Sequence, residues 1–147
     1  MTGRVMALDI GKRRIGVAIS DPSGTLAQPH TTLTWGRGVK AMPDRDDVVE
    51  AIAELIADWE VKCLVLGFPQ NMDGSLGAQA QYVLEWQTLL QSRFSIPIEL
   101  QDERYSSRIA ENALLEGDVS RRRRKQRIDK MAAALILDTY LRRTQQC

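Results

Sequence analysis

The amino-acid sequence predicts an α/β protein built on one mixed sheet, antiparallel where the chain begins and parallel further on. Three observations carry this. Two apolar stretches, residues 5–10 (VMALDI) and 15–20 (IGVAIS), are separated only by Gly11-Lys12-Arg13-Arg14, short enough for an antiparallel hairpin. From residue 44 onward, segments with helical periodicity alternate with short apolar runs, the pattern of parallel strands joined through helices. The 147 residues, 44% of them hydrophobic, make one domain's worth of chain with enough apolar side chains for a core. Residues 1–147 therefore read as a single domain, with a frayed tail over about 142–147.

After the hairpin, Asp21-Pro22-Ser23-Gly24 supplies turn chemistry, and a third strand can run from near Leu26 to about Trp35. Residues 36–43, polar and containing two glycines and a proline, read as a loop. Residues 44–59 place Val49, Ile52, Ala53 and Ile56 on one helical face, with Asp44 or Asp46 as N-cap. Residues 62–68 (KCLVLGF) form an apolar run suited to a strand covered on both sides. A turn-rich loop over 69–77 leads into a helix over 78–93, then a strand over 96–101. Ser106 or Ser107 can cap a short helix ending near Leu115. Beyond a basic run, residues 128–141, with three consecutive alanines, predict a final helix.

Composition excludes several classes of function. No apolar run approaches the roughly 18–20 residues that cross a bilayer, and the N-terminus lacks the long apolar region of a secretory signal, so a cytoplasmic protein is expected. Cys63 lies in an apolar run, as a small buried hydrophobe would, and Cys147 is the last residue, so no disulfide is expected. With His30 as the one histidine, a zinc site of the usual ligand count cannot be assembled, and a metal would have to be held by carboxylates. The formal net charge is +1, but Arg121, Arg122, Arg123, Arg124, Lys125 and Arg127 put six cations into seven positions. Subtracting these six from the 20 Lys and Arg leaves 14 against 19 Asp and Glu, so the basic charge is concentrated in one segment. That concentration points to a polyanionic partner; a solvated charge run is the plainer alternative.

Three acidic positions resist a purely structural explanation when taken together. Asp9 sits in an apolar strand on the side of Val5 and Ala7, where an unpaired charge must be neutralised, paired or metal-bound. Capping the turn at Gly11 is its structural alternative. Asp102 and Glu103 are adjacent at a strand's carboxyl end, where ligand chemistry gathers in open α/β sheets, and only one of them can face a given site. Asp129 opens the final helix, where the helix dipole would account for it, yet Ala132, Ala133 and Ile136 make it the first residue of the apolar face. Acids from a first strand, a late strand end and a terminal helix can converge, and a divalent cation relieves their mutual repulsion. Oxygen ligands without His or Cys favour Mg²⁺ or Mn²⁺, one or two ions. Two such ions about 3.5–4 Å apart would activate a water and stabilise a leaving phosphodiester oxygen.

Four motifs in this order resemble the YqgF (RuvX) family. They are Asp9-Ile10-Gly11 through Arg14-Ile15-Gly16-Val17-Ala18-Ile19-Ser20-Asp21; Gly67-Phe68-Pro69 with Gly74; Asp102-Glu103-Arg104 with Ser106-Ser107; and Ile128-Asp129 with Ala132-Ala133-Ala134 and Ile136-Leu137. The resemblance spans Leu8 to about Leu141, with Ser107 where the family more often has Thr. It implies an RNase H-like fold related to the RuvC resolvases and a metal-dependent nuclease that matures the 5′ end of pre-16S rRNA in ribosome biogenesis. It further implies Asp9, Glu103 and Asp129 as catalytic, metal-holding acids, with Asp102 as a neighbouring metal ligand. Lys12, Arg13, Arg14, Arg104 and the cations from Arg121 to Arg127 then become candidate nucleic-acid contacts, giving salt-dependent affinity with little sequence information.

Branched DNA is the rival substrate for the same chemistry. A monomer or weak homodimer is expected, whereas resolving a symmetric junction calls for two paired sites. A ribosome-assembly module that binds RNA without catalysis would retain the basic run and use the acids for capping and pairing. An actin-like phosphotransferase, which also grips phosphates with an Asp-x-Gly hairpin, needs two such lobes, and 147 residues supply one.

Overall fold

The computed structural model describes residues 3–36, 44–69, 75–102 and 121–145, with the side chains of 121–128 and 145 outside the description. Five strands, β1 (Arg4–Ile10), β2 (Arg14–Ser20), β3 (Ala27–Thr34), β4 (Val61–Phe68) and β5 (Ile98–Asp102), form one sheet in the order β3-β2-β1-β4-β5. The β1/β2 and β2/β3 pairs are antiparallel, and the β1/β4 and β4/β5 pairs are parallel. The mixed sheet thus has the division the sequence predicts. Among the described residues, three helices accompany it: α1 (Arg45–Asp58), α2 (Ala78–Arg93) and α3 (Arg121–Gln145).

Helices cover both faces, which is why β1, β2 and β4 read as nearly unbroken apolar runs. Side chains alternate across a strand, so each of these strands feeds two cores. Met6, Leu8, Ile10, Ile15, Val17, Leu64 and Leu66 pack against Val48, Val49 and Ile52 of α1 and Val83, Trp86 and Leu90 of α2. On the other face, among the described residues, Ala7, Ala18, Cys63 and Val65 meet Ala133, Ile136, Leu137, Tyr140 and Leu141 of α3. The second core is thinner and built of smaller residues, and it brings α3 close to the sheet.

Local chemistry explains the element ends. Asp44 caps α1 by accepting from the Asp47 amide at 3.1 Å, and Asp46 and Asp47 add negative charge to its first turn. In the 21–26 turn, Gly24 takes a positive φ of 73°, and the Asp21 carboxylate accepts from the amides of Thr25 and Leu26 at 2.8 and 3.0 Å. The Leu26 amide, then the Ser23 hydroxyl, hold that carboxyl far below the usual carboxylate range. At the end of α1, Glu60 lies in the left-handed region with φ 51°, the place where glycine ordinarily ends a helix. Glu60→Gly is expected to raise stability by about 0.5–1 kcal/mol, since relieving this backbone strain outweighs the added unfolded-state freedom. Urea denaturation checks it.

Three boundaries differ from the sequence expectation. The last strand begins at Ile98 rather than at 96, because Pro97 has no amide to give a ladder; its carbonyl accepts from the Leu64 amide at 2.9 Å. The last helix begins at Arg121 rather than at 128, so the basic run forms its first turns instead of preceding it. It also continues through Gln145, past the expected end at 141, helped by an Asp138–Arg142 ion pair at 3.0 Å and by the Thr144 hydroxyl donating to the Tyr140 carbonyl. The short helix expected after Ser106 and most of the two expected loops fall outside the described residues. Among the described residues, no helix is long and apolar enough to cross a membrane.

Candidate active site

The site is assembled where β1 and β2 begin their hairpin, on the α3 face of the sheet. Asp9 pairs with Gly16 across the β1/β2 ladder. It is half-buried and shares the α3 face with Ala7, as strand alternation predicts, while Leu8 and Ile10 point into the opposite core.

Gly16 is the reason a distant residue can come near. A Cβ on Gly16 would lie 1.9 Å from the Asp129 carbonyl oxygen, 2.3 Å from its carbonyl carbon and 2.9 Å from the Lys130 nitrogen. No side chain fits there, so the backbone of α3 crosses directly over β2 at Asp129. Paired residues of an antiparallel ladder have Cα atoms roughly 4.5–5.5 Å apart, so the backbones of Asp9 and Asp129 come within roughly 10 Å of each other. Two aspartates at that separation can share one cation.

Asp129 lies more than two turns inside α3, so the dipole at a helix start does not account for it. Its side chain, 22% exposed, accepts at Oδ2 from Arg14 Nε at 2.8 Å. Arg14 is the first residue of β2 and shares the α3 face with Gly16 and Ala18. The arginine expected to contact phosphate is therefore committed to an acid in this structure. Lys12 and Arg13 are exposed at the hairpin tip, which the Gly11 amide closes onto the Arg14 carbonyl at 2.8 Å.

Asp102 is exposed on β5 and shares its sheet face with Ile98 and Leu100, which pack on the α1/α2 core. It pairs with Phe68 and faces away from the layer that holds Asp9 and Asp129. Glu103 and Arg104 lie outside the described residues, as do the side chains of Arg121, Arg122, Arg123, Arg124, Lys125 and Arg127. Among the described residues, no three His, Cys, Asp or Glu side chains are grouped to hold a metal.

Gln101 is the residue that sequence reasoning passed over. It pairs with Gly67 of β4, and Leu8 pairs with Leu66, so Asp9, Gly67 and Gln101 lie in one row across the α3 face. Gln101 is 7% exposed; its Nε2 donates to the Asp102 carbonyl at 3.3 Å, and its Oε1 has no hydrogen-bond partner among the described residues. A buried carbonyl without a donor is costly unless a water or cation supplies one. Its only signal in the sequence is a polar residue of the Asp9-facing parity at a strand end.

The donor chemistry is all hard oxygen: Asp9, Asp129 and the orphaned Gln101 carbonyl. Softer ligands are engaged elsewhere. His30 packs edge-on against Trp59, and burial pulls its pKa down. The Cys63 thiol is buried beside Tyr140, and burial pushes its pKa up. This set fits Mg²⁺ or Mn²⁺ and does not fit zinc.

Known proteins agree with this architecture. The family model described as "RuvX: Holliday junction resolvase" matches residues 3–143. A protein of Thermoanaerobacter pseudethanolicus named "Putative pre-16S rRNA nuclease" is 46% identical over 139 residues, covering 94% of this chain and 95% of its own. A protein of the same name from Natranaerobius thermophilus is 44% identical over 140 residues, covering 95% and 94%. Among solved structures, Thermus thermophilus RuvC in complex with a Holliday junction substrate matches with a TM-score of 0.55 at 10% identity, over 97% of this chain and 96% of that one. The yeast mitochondrial Holliday junction resolvase Ydc2 matches with a TM-score of 0.53 at 11% identity, over 99% and 80%. These two likenesses establish the RNase H-like fold.

Proposed function

The chain belongs to the RuvX family, and from that premise we propose that it is a nuclease that uses Mg²⁺ or Mn²⁺ to trim the 5′ end of pre-16S rRNA in the cytoplasm, acting as a monomer or weak dimer. The observation that carries this is the seating of Asp129 on Gly16, the ladder partner of Asp9. Two acids 120 positions apart in sequence thereby come together on one sheet face, in the row that Gln101 ends two strands away. Capping and surface pairing do not require that convergence.

In this reading Asp9, Asp129 and Glu103 hold the cation or cations. Glu103 is preferred over Asp102 because Asp102 belongs to the sheet face opposite Asp9. A divalent cation held there would supply Lewis acidity toward the scissile phosphate and the attacking water. The chain's own groups align the phosphodiester against the carboxylates, and the P–O bond breaks as water adds to phosphorus, leaving one phosphate end and one hydroxyl end. Lys12 and Arg13 at the exposed hairpin tip, Arg104 and the cations from Arg121 to Arg127 hold the sugar-phosphate chain; Lys12 and Arg13 lie in the turn after the strand of Asp9, and Arg121 to Arg127 precede Asp129 on α3.

The test is cleavage of an RNA that carries the 5′ leader joined to the start of the 16S sequence, alongside a four-way DNA junction. The expected result is leader shortening in Mn²⁺ or Mg²⁺, none in EDTA, and an intact junction. Preferential cutting of the junction would move the substrate to branched DNA while keeping the chemistry. Cleavage indifferent to EDTA, or no cleavage of either substrate, would discard the reading.

A further inference from the structure

The Arg14–Asp129 contact supplies positive charge where the proposed function needs a cation. We propose that Arg14 is the chain's own counter-ion for Asp129, holding the acid in the metal-free protein and giving way when a divalent cation arrives. The inference rests on the metal-dependent reading above and adds a residue that sets metal affinity.

Three features support it. Arg14 reaches the acid through Nε alone, donating to Asp129 Oδ2 at 2.8 Å, and not as a two-pronged clamp. The Arg14 side chain is 37% exposed against 22% for Asp129, so the guanidinium can swing into water more readily than the acid can. Asp129 is also fixed by its backbone on Gly16, so the carboxylate stays when Arg14 leaves.

Charge supplies the direction of the exchange. Without metal, Asp9 and Asp129 are like charges near one another, and Arg14 lowers their repulsion. With a divalent cation bound, Arg14 is both redundant and repelled. The released guanidinium remains on the hairpin that carries exposed Lys12 and Arg13, a place suited to backbone phosphate. Metal loading and nucleic-acid binding then favour one another, and by linkage the favour is mutual.

A merely structural clamp gives the opposite sign. If Arg14 served only to pin α3 to β2, removing it would loosen Asp129 and weaken metal binding. A competing counter-ion, when removed, leaves the metal bound more tightly. Calorimetric titration of the full chain with Mn²⁺ alone, together with melting in EDTA, separates the two. For Arg14→Gln we expect Mn²⁺ affinity roughly threefold to tenfold tighter than in the unsubstituted chain, as suits a partly exposed ion pair. We also expect a lower melting temperature in EDTA. Arg14→Lys, which keeps the charge without the guanidinium, should fall between them, and it decides the matter if Arg14→Gln does not fold. Unchanged or weaker Mn²⁺ affinity in the folded variant overturns the assignment. Failure of the unsubstituted chain to bind Mn²⁺ overturns the metal-dependent reading as well, and so is told apart from failure of the Arg14 assignment alone.

Discussion

Gly16→Ala is expected to cost about 3 kcal/mol of stability and nearly all activity, although it adds a single methyl group. The added carbon would sit 1.9 Å from the Asp129 carbonyl oxygen and 2.3 Å from its carbonyl carbon, well inside any allowed contact. What it meets is backbone in the middle of a helix, not the end of a flexible side chain, so α3 as a whole must lift from β2. Overpacking of a close-packed interface costs typically 1–3 kcal/mol, and this clash belongs at the upper end. Lifting α3 also removes Asp129 from the vicinity of Asp9, so cleavage should fall further than the loss of stability alone explains. Urea denaturation and single-turnover cleavage on the same preparation measure both effects. An unchanged denaturation midpoint would mean that α3 does not rest on β2 as described.

The second large effect is expected from Asp9→Asn. The amide keeps the shape of the carboxylate and the strand's packing but removes a charge and a hard anionic ligand. Cleavage in Mn²⁺ or Mg²⁺ should drop by about a thousandfold or more, the scale on which groups that stabilise developing charge contribute. The fold should stay largely intact, because the substitution changes neither the size of the side chain nor the strand's packing. Circular dichroism with a metal-dependent cleavage assay tests this. Undiminished cleavage by the folded variant would remove Asp9 from the chemistry.

How much of this was legible in the sequence depended on how local the signal was. The two-residue alternation put Asp9 on the side of Ala7, and the structure keeps it there. The same rule said that Asp102 and Glu103 cannot share a face, and the core packing of Ile98 and Leu100 assigns Asp102 to the far one. The start of α3 was misjudged because seven charged or polar residues look like a solvated stretch, yet Arg, Lys and Gln are good helix formers, and the error also made Asp129 look like a dipole-stabilised first-turn residue. Gly16 was legible only as part of a motif. Its role is set by a helix arriving from more than a hundred residues away, which no local pattern encodes. Gln101 escaped for the same reason, since an unsatisfied carbonyl appears only after burial is known.

The unequal covering of the two sheet faces has a consequence for motion. Among the described residues, one face is sealed by two helices and many large side chains, the other by a single helix resting on alanines, a cysteine, a valine and a glycine. Detaching α3 exposes less apolar surface than unfolding the whole molecule, so it is the cheaper fluctuation. Slow amide exchange in β1 and β4 would then report global unfolding, while the amides of α3 would exchange sooner, through undocking. The lifetime of the assembled carboxylates would follow that undocking, giving the chemistry a clock separate from the stability of the sheet.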